Sequence, residues 1–199
     1  MNEGGATMPY RAVVLGVSAG GFEALTTILS RLPASLPVPI VVVQHLGAGG
    51  GRYSVQHLDG CCPLRVKEAE AMEAVRPGTV YFAPPDYHLL IEDDETISLS
   101  VEEKVNFARP AVDVLFESAA DVYGRRLIGI VLTGGNHDGA RGASVIKARG
   151  GTVIVQDPAT AQAPAMPEAA LAATAVDYTV PLDAIAGLLA RLTTGERHG

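Results

Sequence analysis

Short runs of apolar, largely β-branched residues recur along the chain at 11–17, 39–44, 79–83, 127–132, 152–155 and 176–180. Most lack alternation with polar residues, which predicts strands buried on both faces. Helical patterns lie between several of them. Phe22, Leu25, Leu29 and Leu32 share one helical face, and Val112, Leu115, Phe116 and Ala119 do so after Pro110, with Gly124 placed to end that helix. Strand then helix, repeated, predicts an α/β fold, a doubly wound and mostly parallel sheet. The exception is an antiparallel hairpin near residues 88–101, where His88 to Ile91 and Ile97 to Val101 flank the acidic stretch Glu92 to Glu95. Those acids read as a solvated turn, because a calcium loop needs a ligand spacing and a glycine that are missing. A last helix is signalled by Pro181 and by Leu182, Ile185, Leu188, Leu189 and Leu192.

A chain of 199 residues that is 48% hydrophobic, with 22 Gly and 13 Pro, suits one domain with a large core and many tight connections. The expected organisation is an N-terminal extension over 1–10, one domain over 11–192 and a tail over 193–199. A formal charge of −7 argues against a nucleic-acid partner, which needs clustered Lys and Arg. The first ten residues carry no basic start or apolar run of a signal peptide, and no stretch is apolar for long enough to span a bilayer, so a cytoplasmic protein without membrane insertion is expected. Cys61 and Cys62 are neighbours, between which a disulfide is strained, and they read as packing or loop thiols. No metal and no cofactor is expected.

In an open parallel sheet the binding crevice lies at the carboxyl ends of the strands. Gly16-Val-Ser18-Ala-Gly20 follows the first strand and precedes a helix, the context in which G-x-S-x-G projects a serine hydroxyl from the sheet edge. The helix amino terminus behind it favours an oxyanion. A phosphate-cradling glycine turn is the alternative, though no Walker lysine follows and the second strand ends in Gln44-His45 where a dinucleotide fold wants an acid. An imidazole there is where a base for Ser18 would stand. Of the other histidines, His198 is in the tail, His57 in a polar stretch and His88 reads as a structural or rim residue. His137 is the competitor, in Leu132-Thr-Gly-Gly-Asn-His-Asp-Gly139 at another strand end. Asp138 is the candidate to orient the base, with helix capping as an equal reading on spacing alone. The turn at Gly134-Gly135 could aim N–H groups at an oxyanion.

With these residues in view, the chain resembles the catalytic domain of the CheB family, the protein-glutamate methylesterases of bacterial chemotaxis. The likeness runs from Ala12 to about Leu192 through Gly16 to Gly21, Gln44-His45, Val66 to Glu70, Pro77 to Pro84, Arg109 to Phe116, Leu132 to Gly135 and Asp138 to Ala140. It implies a serine hydrolase whose triad is Ser18, His45 and Asp138; backbone donors near Ala19 or Gly135 are expected to hold the oxyanion. It implies hydrolysis of glutamate methyl esters on a chemoreceptor's cytoplasmic domain or a similar signalling protein, and deamidation of glutamines as a related activity. The chain departs from the family in having Ala19 after the nucleophile, where Thr is usual. It reads Gly134-Gly-Asn-His-Asp138 where Gly-Met-Gly-Asn-Asp is usual, and Gly47 to Gly51 where Pro-Pro and a phenylalanine-bearing helix are usual. Many members begin with a phosphorylatable receiver domain. With few residues before the first strand, regulation by other means, by a separate partner or not at all is expected. The alternatives are a catalytically degenerate signalling module and a nucleotide- or phosphate-binding α/β domain.

Overall fold

The computed structural model describes residues 10–45 and 51–194. The start of the expected N-terminal extension, residues 46–50 and the end of the tail, with His198, lie outside the described residues. In chain order the elements are β1 (Ala12–Val17), α1 (Gly21–Leu29), β2 (Ile40–Gln44), α2 (Gly51–Cys61), β3 (Arg65–Glu68), β4 (Thr79–Phe82), β5 (His88–Ile91), β6 (Ile97–Ser100), α3 (Val112–Tyr123), β7 (Leu127–Val131), α4 (Ala140–Ala148), β8 (Thr152–Gln156), α5 (Ala165–Ala173), β9 (Tyr178–Val180) and α6 (Ile185–Thr194). Seven strands form one parallel sheet in the order β3-β4-β2-β1-β7-β8-β9, and β5 pairs antiparallel with β6.

The absence of alternation in the central strands follows from helices on both faces. In β1, Ala12 and Val14 pack into a core shared with α3, α4, α5 and the hairpin, while Val13, Leu15 and Val17 pack into another shared with α1, α6 and Leu58 of α2. Every β1 and β2 residue is buried, so neither strand has a polar face to display. Burying each such Val, Leu or Ile side chain contributes about 1.5–3 kcal/mol. The hairpin register runs from His88 opposite Ser100 to Ile91 opposite Ile97, and the acids between them are largely exposed.

Three elements carry no periodic signal. Among its described side chains α2 fully buries only Leu58, β3 is an edge strand burying only Val66, and α5 is alanine-rich with Pro167 inside its first turn. The last strand begins at Tyr178, with exposed residues in place of a buried run. Cys61 and Cys62 are free thiols at the end of α2. Burial first, then the neighbouring Cys61, pushes the Cys62 thiol up to about 12.

The chain leaves β1 for β2 on one side, and β7 stands on the other, so the crevice lies at the carboxyl ends of β1, β2 and β7. The amino terminus of α3 comes down directly on this edge. A side chain at Gly16 would collide with the Val112 methyls, so the glycine is what lets α3 begin so close to β1. Gly142 does the same for α3 against α4, since a Cβ there would lie 2.5 Å from that of Phe116.

Candidate active site

Ser18 stands in the turn from β1 to α1. Its N–H donates to the Thr133 carbonyl at 2.9 Å, its own carbonyl accepts from Gly21 at 2.8 Å, and Gly20 takes a left-handed φ of 76° to close the turn. The hydroxyl is half-buried and makes no hydrogen bond among the described residues. His45 follows β2 at the neighbouring position, because Val17 pairs with Gln44 and the His45 N–H donates to the Val17 carbonyl at 2.9 Å. The two residues thus leave adjacent strands side by side, about 5 Å apart along the hydrogen-bonding direction.

Asp138 reaches this edge from the far side. Its side chain is fully buried, and its Oδ2 lies 2.8 Å from His45 Nε2. The Val112 N–H donates to the same oxygen at 2.6 Å, while Oδ1 accepts from Asn106 Nδ2 at 2.8 Å and from the Asp113 N–H at 3.1 Å. Burial alone would push this carboxyl up. The His45 bond, then those from Val112, Asn106 and Asp113, outweigh it and hold the group below the usual carboxylate range. A carboxylate on Nε2 fixes the proton there, so Nδ1 carries the lone pair of the neutral ring. The only group bonded to Nδ1 among the described residues is the Asn136 amide, at 3.5 Å, a length at the limit of a hydrogen bond.

Asp138 bonds the His45 ring and caps a helix as well. It does take helix amides, but those of α3, where Val112 and Asp113 are the first residues, and not those of the helix that follows it. The amino terminus of α4 is held instead by Asp113, whose Oδ1 accepts from Gly139 at 3.0 Å and Gly142 at 2.7 Å. The start of α3 is therefore capped by a carboxylate from the loop before α4, and the start of α4 by a carboxylate on α3. Asp113, Asn106 and Asn136 were not singled out by the sequence. A buried Asp in the first turn of an apolar helix was the available signal for the first, and the other two had none.

Thr133, 1% exposed, ties the remaining pieces together. Its hydroxyl donates to the Ala19 carbonyl at 2.8 Å and accepts from Ala163 at 2.9 Å, and its N–H donates to Gln156. Gly134 packs against the turn that carries Ser18, for a Cβ there would collide with Met166 Sδ and lie 2.9 Å from Ser18 Cβ. Among the described residues, neither the Ala19 N–H nor the Gly135 N–H has a hydrogen-bond partner. The other histidines stand apart. His137 is exposed, His57 is exposed with its ring 5.4 Å from that of Phe22, and His88 is buried between the Glu103 carbonyl and the Ala111 N–H. No group of side chains among the described residues could hold a metal ion.

A buried carboxylate, an imidazole bonded to it, a hydroxyl after the next strand and two N–H groups, the hydroxyl and the N–H groups without a hydrogen-bond partner among the described residues, are groups of the kind that acyl transfer uses. Residues 13–189 match the CheB methylesterase family. A Leptospira interrogans protein is 52% identical over 185 residues, which are 93% of this chain and 96% of the relative. A Symbiobacterium thermophilum protein named protein-glutamate methylesterase/protein-glutamine glutaminase is 40% identical over 94% of this chain, which spans 52% of it. The crystal structure of the Thermotoga maritima CheB methylesterase catalytic domain superposes with a TM-score of 0.88 at 39% identity, covering 93% of this chain and 100% of that one.

Proposed function

The chain belongs to the CheB methylesterase family, and from that premise we propose that residues 11–192 form a carboxylic ester hydrolase acting on glutamate methyl esters of a chemoreceptor's cytoplasmic domain or a similar signalling protein. Ser18 Oγ attacks the ester carbonyl carbon while its proton passes to His45 Nδ1. Asp138 keeps the Nε2 proton in place and stabilises the imidazolium that forms. The Ala19 and Gly135 N–H groups receive the oxyanion, a contribution of about 10²–10³ in rate for each donor. Methoxide leaves as methanol with the proton held by His45. Water, deprotonated by the same nitrogen, then opens the acyl-serine and frees the glutamate.

The same steps on a primary amide release ammonia, so deamidation of glutamine is proposed as a second activity of the site. The proposed setting is the cytoplasm, and no helix among the described residues is long and apolar enough to cross a membrane.

The observation that carries this reading is the 2.8 Å bond from Asp138 to His45 at the edge where His45 and Ser18 leave paired strands. Ser18→Ala tests it. Methanol release from a methylated receptor fragment should fall to the uncatalysed rate, and labelling by a fluorophosphonate should vanish, with the unfolding midpoint unmoved. Normal turnover in that variant would remove Ser18 as the nucleophile, and nucleotide-dependent thermal stabilisation of a wild-type protein that takes no label would replace the hydrolase with a binding module.

A further inference from the structure

Residues 105–108 form a tight turn directly beside the buried acid. Val105 and Ala108 exchange backbone hydrogen bonds of 3.1 and 2.9 Å, and the two residues between them have left-handed φ values of 52° for Asn106 and 63° for Phe107. That region disfavours residues with a Cβ, and Asn tolerates it better than most. Phe107 is 95% exposed, so no packing of its ring holds the turn in this shape. The Asn106 carboxamide does so instead. Its one nitrogen donates to Asp113 Oδ2 and to Asp138 Oδ1, each at 2.8 Å.

Both acceptors are nearly or wholly shielded from water, with Asp113 at 3% and Asp138 at 0% exposure. Their nearest oxygens share one nitrogen, which places two carboxylates in one buried site. A neutral amide with two protons satisfies both without cancelling either charge. A cation there would compete with the imidazolium for Asp138. A carboxylate would add a like charge.

We infer that Asn106 is a positioning residue of the proposed hydrolysis, acting through Asp138: its bridging amide holds the carboxylate in the orientation and charge that His45 requires. This rests on the triad reading of the previous subsection. The titratable and charged groups around the bridge are His45 after β2, His88 on β5, Asp113 and Glu117 on α3, Asp138 itself, and Arg141 on α4. Arg141 Nε lies 3.9 Å from Asp113 Oδ2 and pairs with Glu117. All of them are present in wild type and variant alike, and Asn106→Leu, which adds no charge, shows how far their own titration divides out of an activity ratio.

The test compares Asn106→Leu and Asn106→Asp with wild type in methanol release from pH 5 to pH 9. Asn106→Leu removes both donors, and kcat should fall at least tenfold across the range while KM stays within threefold. Asn106→Asp can donate only when protonated. Its neighbours are two carboxylates in a shielded site, which favour the protonated form. The ratio of its kcat to that of wild type should therefore rise at least fivefold from pH 8.5 to pH 5.5, a dependence that a role confined to the fold does not produce. A flat ratio, or an Asn106→Leu enzyme within threefold of wild type in kcat, overturns the inference. If the leucine variant does not fold, the aspartate ratio decides alone. Ser18→Ala run in parallel separates the two failures: activity surviving that change removes the triad, whereas its loss together with an unaffected Asn106→Leu removes only the role of Asn106.

Discussion

Asp138→Asn changes one atom at the point where the catalytic edge is most constrained. The carboxylate accepts four hydrogen bonds, two on each oxygen. An amide can accept on one side only. With its NH2 at the Oδ2 position it faces His45 Nε2 and the Val112 N–H. The ring must then turn over to its other tautomer, which places the proton on the nitrogen that has to receive one from Ser18. With its NH2 at the Oδ1 position it faces the Asn106 amide and the Asp113 N–H, and two donors oppose two donors.

Hydrogen bonds to charged groups contribute about 1.5–3 kcal/mol each, so losing two in a buried site costs about 3–6 kcal/mol of stability. That is a large part of the 5–15 kcal/mol expected of a domain, yet leaves a folded protein in much of that range. The wrong tautomer should cost about 10⁴ in kcat, or about 5 kcal/mol of transition-state stabilisation. Urea unfolding and methanol release on the same preparation measure the two losses. A folded variant within tenfold of wild-type kcat, with its urea midpoint unchanged, would refute both the tautomer argument and the account of a saturated carboxylate.

The same group sets a pH dependence of stability. Its pKa in the fold lies below the ordinary 3.8, so the stabilisation is fully present above that value and is lost as pH falls through the folded-state pKa. The difference in unfolding free energy between wild type and Asp138→Asn should therefore be constant from pH 7 to about 5 and shrink below about 4, as followed by urea titrations at each pH. Gly134→Ala places a methyl against Met166 Sδ and Ser18 Cβ. It should cost about 1–3 kcal/mol of stability and disturb the nucleophile, lowering kcat in the steady-state assay. Thr133→Val keeps the shape but leaves the Ala19 carbonyl and Ala163 N–H without their hydroxyl partner. The loss should be about 1–3 kcal/mol in urea unfolding, and wild-type stability in this variant would show the tie to be dispensable.

The sheet was legible because its central strands are buried on both faces, which turns each into an unbroken apolar run that few helices would imitate. Val13 to Val17 and Ile40 to Val43 are of this kind. The hairpin was legible from its charged tip. What escaped were elements whose burial is slight or made of small residues: α2 with Leu58, β3 with Val66, and α5 with Met166, Pro167 and Ala170. Local periodicity reports burial, and these elements have too little of it.

That Ser18 and His45 leave neighbouring strand ends was legible because strand ends fix where side chains emerge. Asp138 was recognisable as important, with two roles in balance, since a carboxylate before a glycine signals capping without saying which helix is capped. Asn106 meets its partners 7 and 32 residues away across the fold, a relation that no pattern within a segment records.

The exchange of caps between α3 and α4 has a dynamic consequence. The Val112 and Asp113 amides are protected by Asp138, just before α4, and the Gly139 and Gly142 amides by Asp113 on α3. Fraying of either helix start therefore exposes the other, and the four protons should swap with deuterium at one common rate, governed by a single opening. The event that releases them also frees the His45 ring from its anchor. Catalytic competence and the integrity of two helix ends are then lost together, and heat or denaturant should silence the enzyme at the onset of that shared opening, before the central strands give way.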